Sequence, residues 1–211
     1  QADASLSMPW DLQLVLHESA HVGQMEHFTG KNMKLFYVLC GQMAAGFAAG
    51  FYAGQYFLEG DAVYRETLLS PSGRGRSAEF LEHYRASYLS GDKRNRVQWR
   101  YGSFRKYSPS IYEYGYVHTA FSHAVTGNRK LSGNLLRYMA RHFFNPYADL
   151  VAYNEFINQP NYDIYFNNAM DWFGNRWRED YQSREFTEVN NLPHRHSKFY
   201  QSYSSPVIVS Q

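Results

Sequence analysis

Two histidines bracket a glutamate in His17-Glu18-Ser19-Ala20-His21. On a helix, residues four apart share a face, so both imidazoles can aim a nitrogen at one point. Imidazole nitrogen is a preferred donor for zinc, and His17 and His21 would be two ligands of a single Zn2+ ion. Glu18 lies about 100° round the helix, placed to act as general base toward a metal-bound water. Hydrolytic zinc keeps three protein ligands and one open position, so a third donor must come from downstream.

Two residues compete for that place. His27, six residues after His21, gives the ligand spacing of the metzincins. That pattern needs a glycine three residues after the second histidine to turn the chain. Gln24 stands there, and Gly23 comes one residue early. If the helix simply continues, His27 points roughly 120° away from His21. The other candidate is Glu59, in Tyr56-Phe57-Leu58-Glu59-Gly60-Asp61-Ala62-Val63-Tyr64-Arg65-Glu66. Glu66 follows it by about two turns, so the two carboxylates share a helix face.

This stretch resembles the glutamate-ligand helix of the gluzincin metallopeptidases, in particular the aminopeptidase N-like group. The matching positions are Glu59, Gly60, Tyr64 and Glu66. Tyr112-Glu113-Tyr114-Gly115 is similar to the Tyr-x-x-Gly segment of the same enzymes. The resemblance covers about residues 9 to 125. It implies His17, His21 and Glu59 as zinc ligands, with Glu66 holding a ligand imidazole from behind. It also implies that Tyr112 donates to the oxyanion formed on attack at a peptide carbonyl. With 19 tyrosines in the chain, Tyr114 and Tyr116 remain alternatives for that role. The chain departs from the group in three ways. Thirty-seven residues separate His21 from Glu59, no G-x-M-E-N segment is present, and few residues precede the first histidine. What the resemblance implies is therefore zinc peptidase chemistry without aminopeptidase specificity. The chain is expected to be a piece of a larger protein. The run from Glu66 to Ser70, with the Ser/Gly/Arg loop after it, also resembles peptidase-like domains of bacterial envelope proteins.

The elements that must position these residues read as mostly helical. Ser7, Pro9 and Asp11 suit the start of the first helix. Leu12, Val15, Leu16, Ser19 and Ala20, widened by Leu14 and Val22, predict a stripe that protein covers. Leu35 to Leu58 is 24 residues without a formal charge, long enough for a bilayer, with Gly46, Gly50 and Gly54 at four-residue spacing. A single crossing would put His21 and Glu59 about 30 Å apart, so the stretch is expected to be a buried, glycine-lined segment and not a transmembrane span. Further helices are expected over 78–89, 110–125, 131–144, 148–157 and 162–181, with a Ser/Gly/Arg loop at 70–76. Arg74 and Arg76 belong to that loop, read as a surface connection. The expected fold class is mainly α: a zincin-like helical catalytic domain over 1–187, whose N-terminal β-sheet is absent or donated from elsewhere. Residues 188–211 read as an irregular tail carrying His194 and His196.

Composition limits the function classes. With 21 cations and 19 anions the net charge is +2, so no general pull toward nucleic acid or acidic surfaces follows. Six cations between Lys93 and Lys106, interleaved with Trp99, Tyr101, Phe104 and Tyr107, would suit single-stranded nucleic acid. A solvated connection is the simpler reading, and no nucleic acid partner is expected. One cysteine, Cys40, allows no internal disulfide. Abundant Tyr with Asn and Gln suggests an exported, extracytoplasmic protein. The reading is a zinc metallopeptidase acting on a peptide or protein substrate; the alternative is a non-catalytic module that keeps a zinc site and binds a polyanion or a protein.

Overall fold

The computed structural model describes residues 8–186 apart from 31, 93, 103, 104, 143, 146 and 160. The described chain is mainly helical and contains no strand. Its helices are α1 (Trp10–Phe28), α2 (Asn32–Ala49), α3 (Gln55–Leu69), α4 (Glu82–Leu89), α5 (Arg96–Tyr101), α6 (Ile111–Thr126), α7 (Leu131–Arg141), α8 (Ala148–Ile157) and α9 (Tyr162–Gln182). A π-helical turn, Gly50–Gly54, joins α2 to α3, and a 3-10 turn, Arg74–Arg76, follows α3. The proposed cap at Ser7, the pair His194 and His196, and the tail from 188 lie outside the described residues.

The centre of the fold is a crossing of two glycines. A Cβ on Gly60 of α3 would overlap the backbone of Gly115 in α6, and one on Gly115 would overlap the Tyr56 carbonyl. Only bare Cα positions let the two backbones touch here. On either side of the crossing the buried faces interlock: Tyr56, Phe57 and Val63 from α3, Tyr114, Val117 and Phe121 from α6. α1 packs on α3 and α7, α7 on α8, and α9 on α4 and α6. Neighbouring aromatics fill the gaps, as where Tyr114 stacks on Phe166 at 5.8 Å.

Two sequence expectations fail, and both concern which side of a helix faces in. In α1 the buried residues are His17, Ala20, Gln24 and Phe28, while Leu12, Leu14, Val15 and Val22 are exposed. The helix is turned so that its polar stripe meets α3. Buried partners for His17 and Gln24 outweigh the apolar preference of the opposite face. The stretch from Leu35 is likewise not an interior segment. Gly41 breaks α2 at φ +83°. Ala45, Ala48, Ala49 and Ala53 face the protein, whereas Leu35, Leu39, Met43, Phe47 and Phe51 face outward. A Cβ on Gly46 would meet nothing within 4 Å and one on Gly50 only the Gln55 side chain at 3.9 Å, so neither serves close helix contact; Gly54 instead serves a left-handed turn at φ +79° beside the Tyr56 ring.

Three cations of the basic cluster are engaged within the fold. Asn95 starts α5 with a reciprocal capping box to Gln98. Arg94 pairs with Asp92 at 2.7 Å and lies over Trp99; Arg96 pairs with Asp163 at 3.0 Å; Arg100 lies over Tyr56. The helix at 78–89 begins only at Glu82, and that at 131–144 ends at Arg141.

Candidate metal centre

α1 packs antiparallel on α3, with His17 beside Glu66 at one end and Gln24 beside Leu58 at the other, which brings the His17–His21 face against Glu59 and Glu66. His17 Nε2 lies 3.0 Å from Glu59 Oε2, His21 Nε2 lies 3.5 Å from the same oxygen, and the two Nε2 atoms are 3.2 Å apart. The donor edges of a tetrahedral zinc site with bonds near 2.0–2.1 Å are roughly 3.4 Å. The triangle His17, His21, Glu59 is therefore of the right size and donor chemistry to hold a metal ion. His27 does not join it. That side chain packs against Gly133 of α7 and lines a different cavity.

Each histidine is held from behind. Glu66, fully buried, lies 3.1 Å from His17 Nδ1. His21 Nδ1 faces Gln24 Oε1 at 2.9 Å. Gln24, itself 1 % exposed, donates to the Leu58 carbonyl and to Asp61 Oδ2, both at 2.9 Å. Asp61 in turn accepts from Arg65 at 3.0 Å and from Ser132 at 2.5 Å, and Ser132 contacts His123 at 3.0 Å. A carboxamide oxygen can only accept, so His21 must donate from Nδ1, which leaves its Nε2 lone pair toward the triangle when the ring is neutral. Gln24 is the residue that spacing arguments passed over, noticed only as a missing glycine.

Arg74 was also undervalued by its loop setting. Cβ atoms on Gly73 and Gly75 would strike α3 backbone and the Tyr116 ring, so the loop lies flat on the fold. Arg76 donates to the Ser70 and Thr67 carbonyls. Arg74 Nε donates to Glu66 at 2.9 Å, and Nη2 pairs with the same carboxylate while lying 2.9 Å from His17 Nδ1. Two tautomers satisfy His17. A proton on Nε2 donates to Glu59 and leaves Nδ1 to accept from Arg74; a proton on Nδ1 donates to Glu66 and frees Nε2 for a metal.

The cluster opens on a cavity of about 370 Å³ whose walls include Trp10, Glu18, Arg74 and Tyr112. Glu18 is exposed at its edge. Tyr112 stands with its ring 5.9 Å from that of His17 and 5.1 Å beneath the Arg74 guanidinium. Tyr114 and Tyr116 are buried in the core instead. The histidines sit at the wall of an open cavity, not in a closed interior: the side chains of His21 and Glu59 are 27 % and 23 % exposed.

The charges are coupled. Burial pulls His17 down, but hydrogen bonds to Glu59 and Glu66 outweigh it and hold the ring up at about 9. Its bond to Glu59 raises His21 against the effect of burial. Burial raises Glu59, and the bonds from both histidines prevail, bringing it down to about 2. Without a metal, the anion and the imidazoles neutralise one another. Burial, together with the Glu59 charge, raises the Tyr112 phenol, which therefore keeps its proton. Comparison with protein-family models, curated proteins and solved structures finds no match.

Proposed function

We propose that this chain is a zinc-dependent hydrolase of the gluzincin-like kind, cleaving peptide bonds. The observation that carries the reading is the convergence of His17 Nε2, His21 Nε2 and Glu59 Oε2 within 3.5 Å of one another beside a cavity edged by Glu18 and Tyr112. A zinc ion held by His17, His21 and Glu59 would supply Lewis acidity and would lower the pKa of a water bound to it. Glu18, at the cavity edge, takes up a proton from the attacking water and returns it to the leaving amine. Tyr112, protonated at neutral pH, donates to the carbonyl oxygen as negative charge gathers on it, a contact made in the transition state. Glu66 and Gln24 orient the two imidazoles, and Arg74 fixes Glu66.

Elemental analysis of the purified protein, paired with hydrolysis of a quenched fluorescent peptide library, tests this. One zinc per chain and activity lost at least 100-fold in Glu18→Gln, with zinc retained, is the expected result. Full hydrolysis by zinc-loaded Glu18→Gln would overturn the assigned mechanism. Zinc bound with no hydrolysis in the wild type would favour the binding-module alternative.

A further inference from the structure

We propose that the tip of α2, around Val38–Met43, inserts into one face of an anionic lipid bilayer and anchors the protein there as a one-sided dip. Three observations converge. The first is an inversion of side-chain size. Alanines at 45, 48, 49 and 53 face the protein while leucine, methionine and phenylalanine face outward. A helix meant for water buries its large apolar groups; one meant for lipid packs small residues inward and turns large ones out.

The second is the spread of exposure. Tyr37, Val38, Leu39 and Cys40 are all exposed, and four consecutive helical residues point round the whole circumference. A partner helix would need only one stripe, whereas lipid surrounds. No formal charge occurs from Leu35 to Leu58, and the helical run Met33–Leu69, through the break at Gly41 and the π-helical turn, is long and apolar enough to cross a membrane, with only 17 % of its most apolar window buried.

The third is charge complementarity at the base. Lys34 is exposed in the first turn of α2, and α7, which packs against α2, exposes Arg137 and Arg141 on a cavity shared with Gly30, with Glu26 the one acid lining it. Cations on the body beside the base of α2 are suited to meet lipid phosphates when the tip inserts. Crossing is precluded by the anchors. Met33 before the tip and Ala45 after it are both fully buried in the same body, so the chain enters and leaves on one side. His21 and Glu59 then stay together, which a span would forbid.

Cys40, exposed at the tip and the single cysteine, makes the test direct. The full chain carrying an NBD fluorophore on Cys40 is mixed with vesicles of phosphatidylcholine, with or without phosphatidylglycerol. The expected result is co-flotation and a blue-shifted, brighter NBD emission on the anionic vesicles. Leu39→Glu with Met43→Glu abolishes both without lowering the melting temperature, and Arg137→Glu and Arg141→Glu each weaken anionic binding by about fivefold or more. NBD emission that stays water-like, with protein remaining off the vesicles, would overturn the proposal. So would NBD shielding that grows with protein concentration in the absence of lipid, together with a dimer mass by light scattering: the tip would then be a contact between two copies. The wild-type measurement stands alone if a variant fails to fold.

Discussion

Zinc must compete with protons for the histidine triangle, and the structure sets the size of that competition. At pH 7 a His17 held at about 9 is almost fully protonated, and removing that proton requires about 2.7 kcal/mol, or roughly a hundredfold in apparent affinity. His21, also raised, adds a second proton at lower pH. Glu59, near 2, is ionised throughout and releases none. Apparent zinc affinity should therefore climb by at least about tenfold per unit between pH 6 and 8. Calorimetry at pH 6 in buffers of different ionisation enthalpy should count close to two protons released per zinc. The metal-free fold should move the opposite way. His17 binds more protons folded than unfolded between 6.5 and 9, so its contribution is complete below 6.5 and is lost as pH rises through 9, by up to ~3 kcal/mol. Melting temperatures with chelator present should fall across that window. A pH-independent affinity, or release of well under one proton at pH 6, would refute the charge coupling drawn from the 3.0 and 3.5 Å contacts.

Gln24→Leu should weaken zinc binding about 10–100-fold, because His21 loses the acceptor that fixes its Nδ1 proton; competition with a chromophoric chelator measures it, and unchanged affinity in a folded variant would remove Gln24 from the site. His118 is fully buried among Tyr56, Tyr114 and Tyr165, with neither ring nitrogen hydrogen-bonded. Burial, helped by Arg96 and Arg100, pushes it down to about 3. The unfolded chain thus binds more protons between 6.5 and 3, and stability should fall by roughly 2.3 kcal/mol between pH 6.5 and 4.5 through this ring alone. His118→Phe should remove that acid sensitivity and raise stability at pH 7 by about 1–3 kcal/mol, read from urea midpoints at the two pH values; equal acid sensitivity in the variant would exclude His118 as its source.

Spacing within one helix was the legible part of this molecule. A step of four residues from His17 to His21, and of seven from Glu59 to Glu66, is enough to place each pair on one face, and the contacts of His17 with both glutamates follow from that. What lay beyond spacing was the relation between helices. Gln24 matters because an antiparallel α3 brings Leu58 and Asp61 beside it, and no local pattern announces a partner 34 or 37 residues away. Arg74 reads as a loop cation until Gly73 and Gly75 are seen to press that loop onto α3. The rotation of α1 inverted an apolar stripe because hydrogen-bonded polar groups competed for the same interior, a contest that hydrophobic periodicity does not register. In α2 the apolar run was visible, but weighing only a bilayer crossing against a buried segment left out an apolar helix that stays with the fold and is exposed on it.

The glycine crossing has a meaning beyond packing. Gly60 adjoins Glu59 in the chain, and Gly115 follows Tyr112 by less than one helical turn. The gap across the cavity between a carboxylate and a phenol is therefore gauged by the thickness of two bare backbones, not by the reach of a side chain. Such a gauge has no intermediate settings. A methyl group at either position would lift α6 from α3 as a rigid strut, so any retuning of that gap must arrive in discrete jumps or come from outside the crossing altogether.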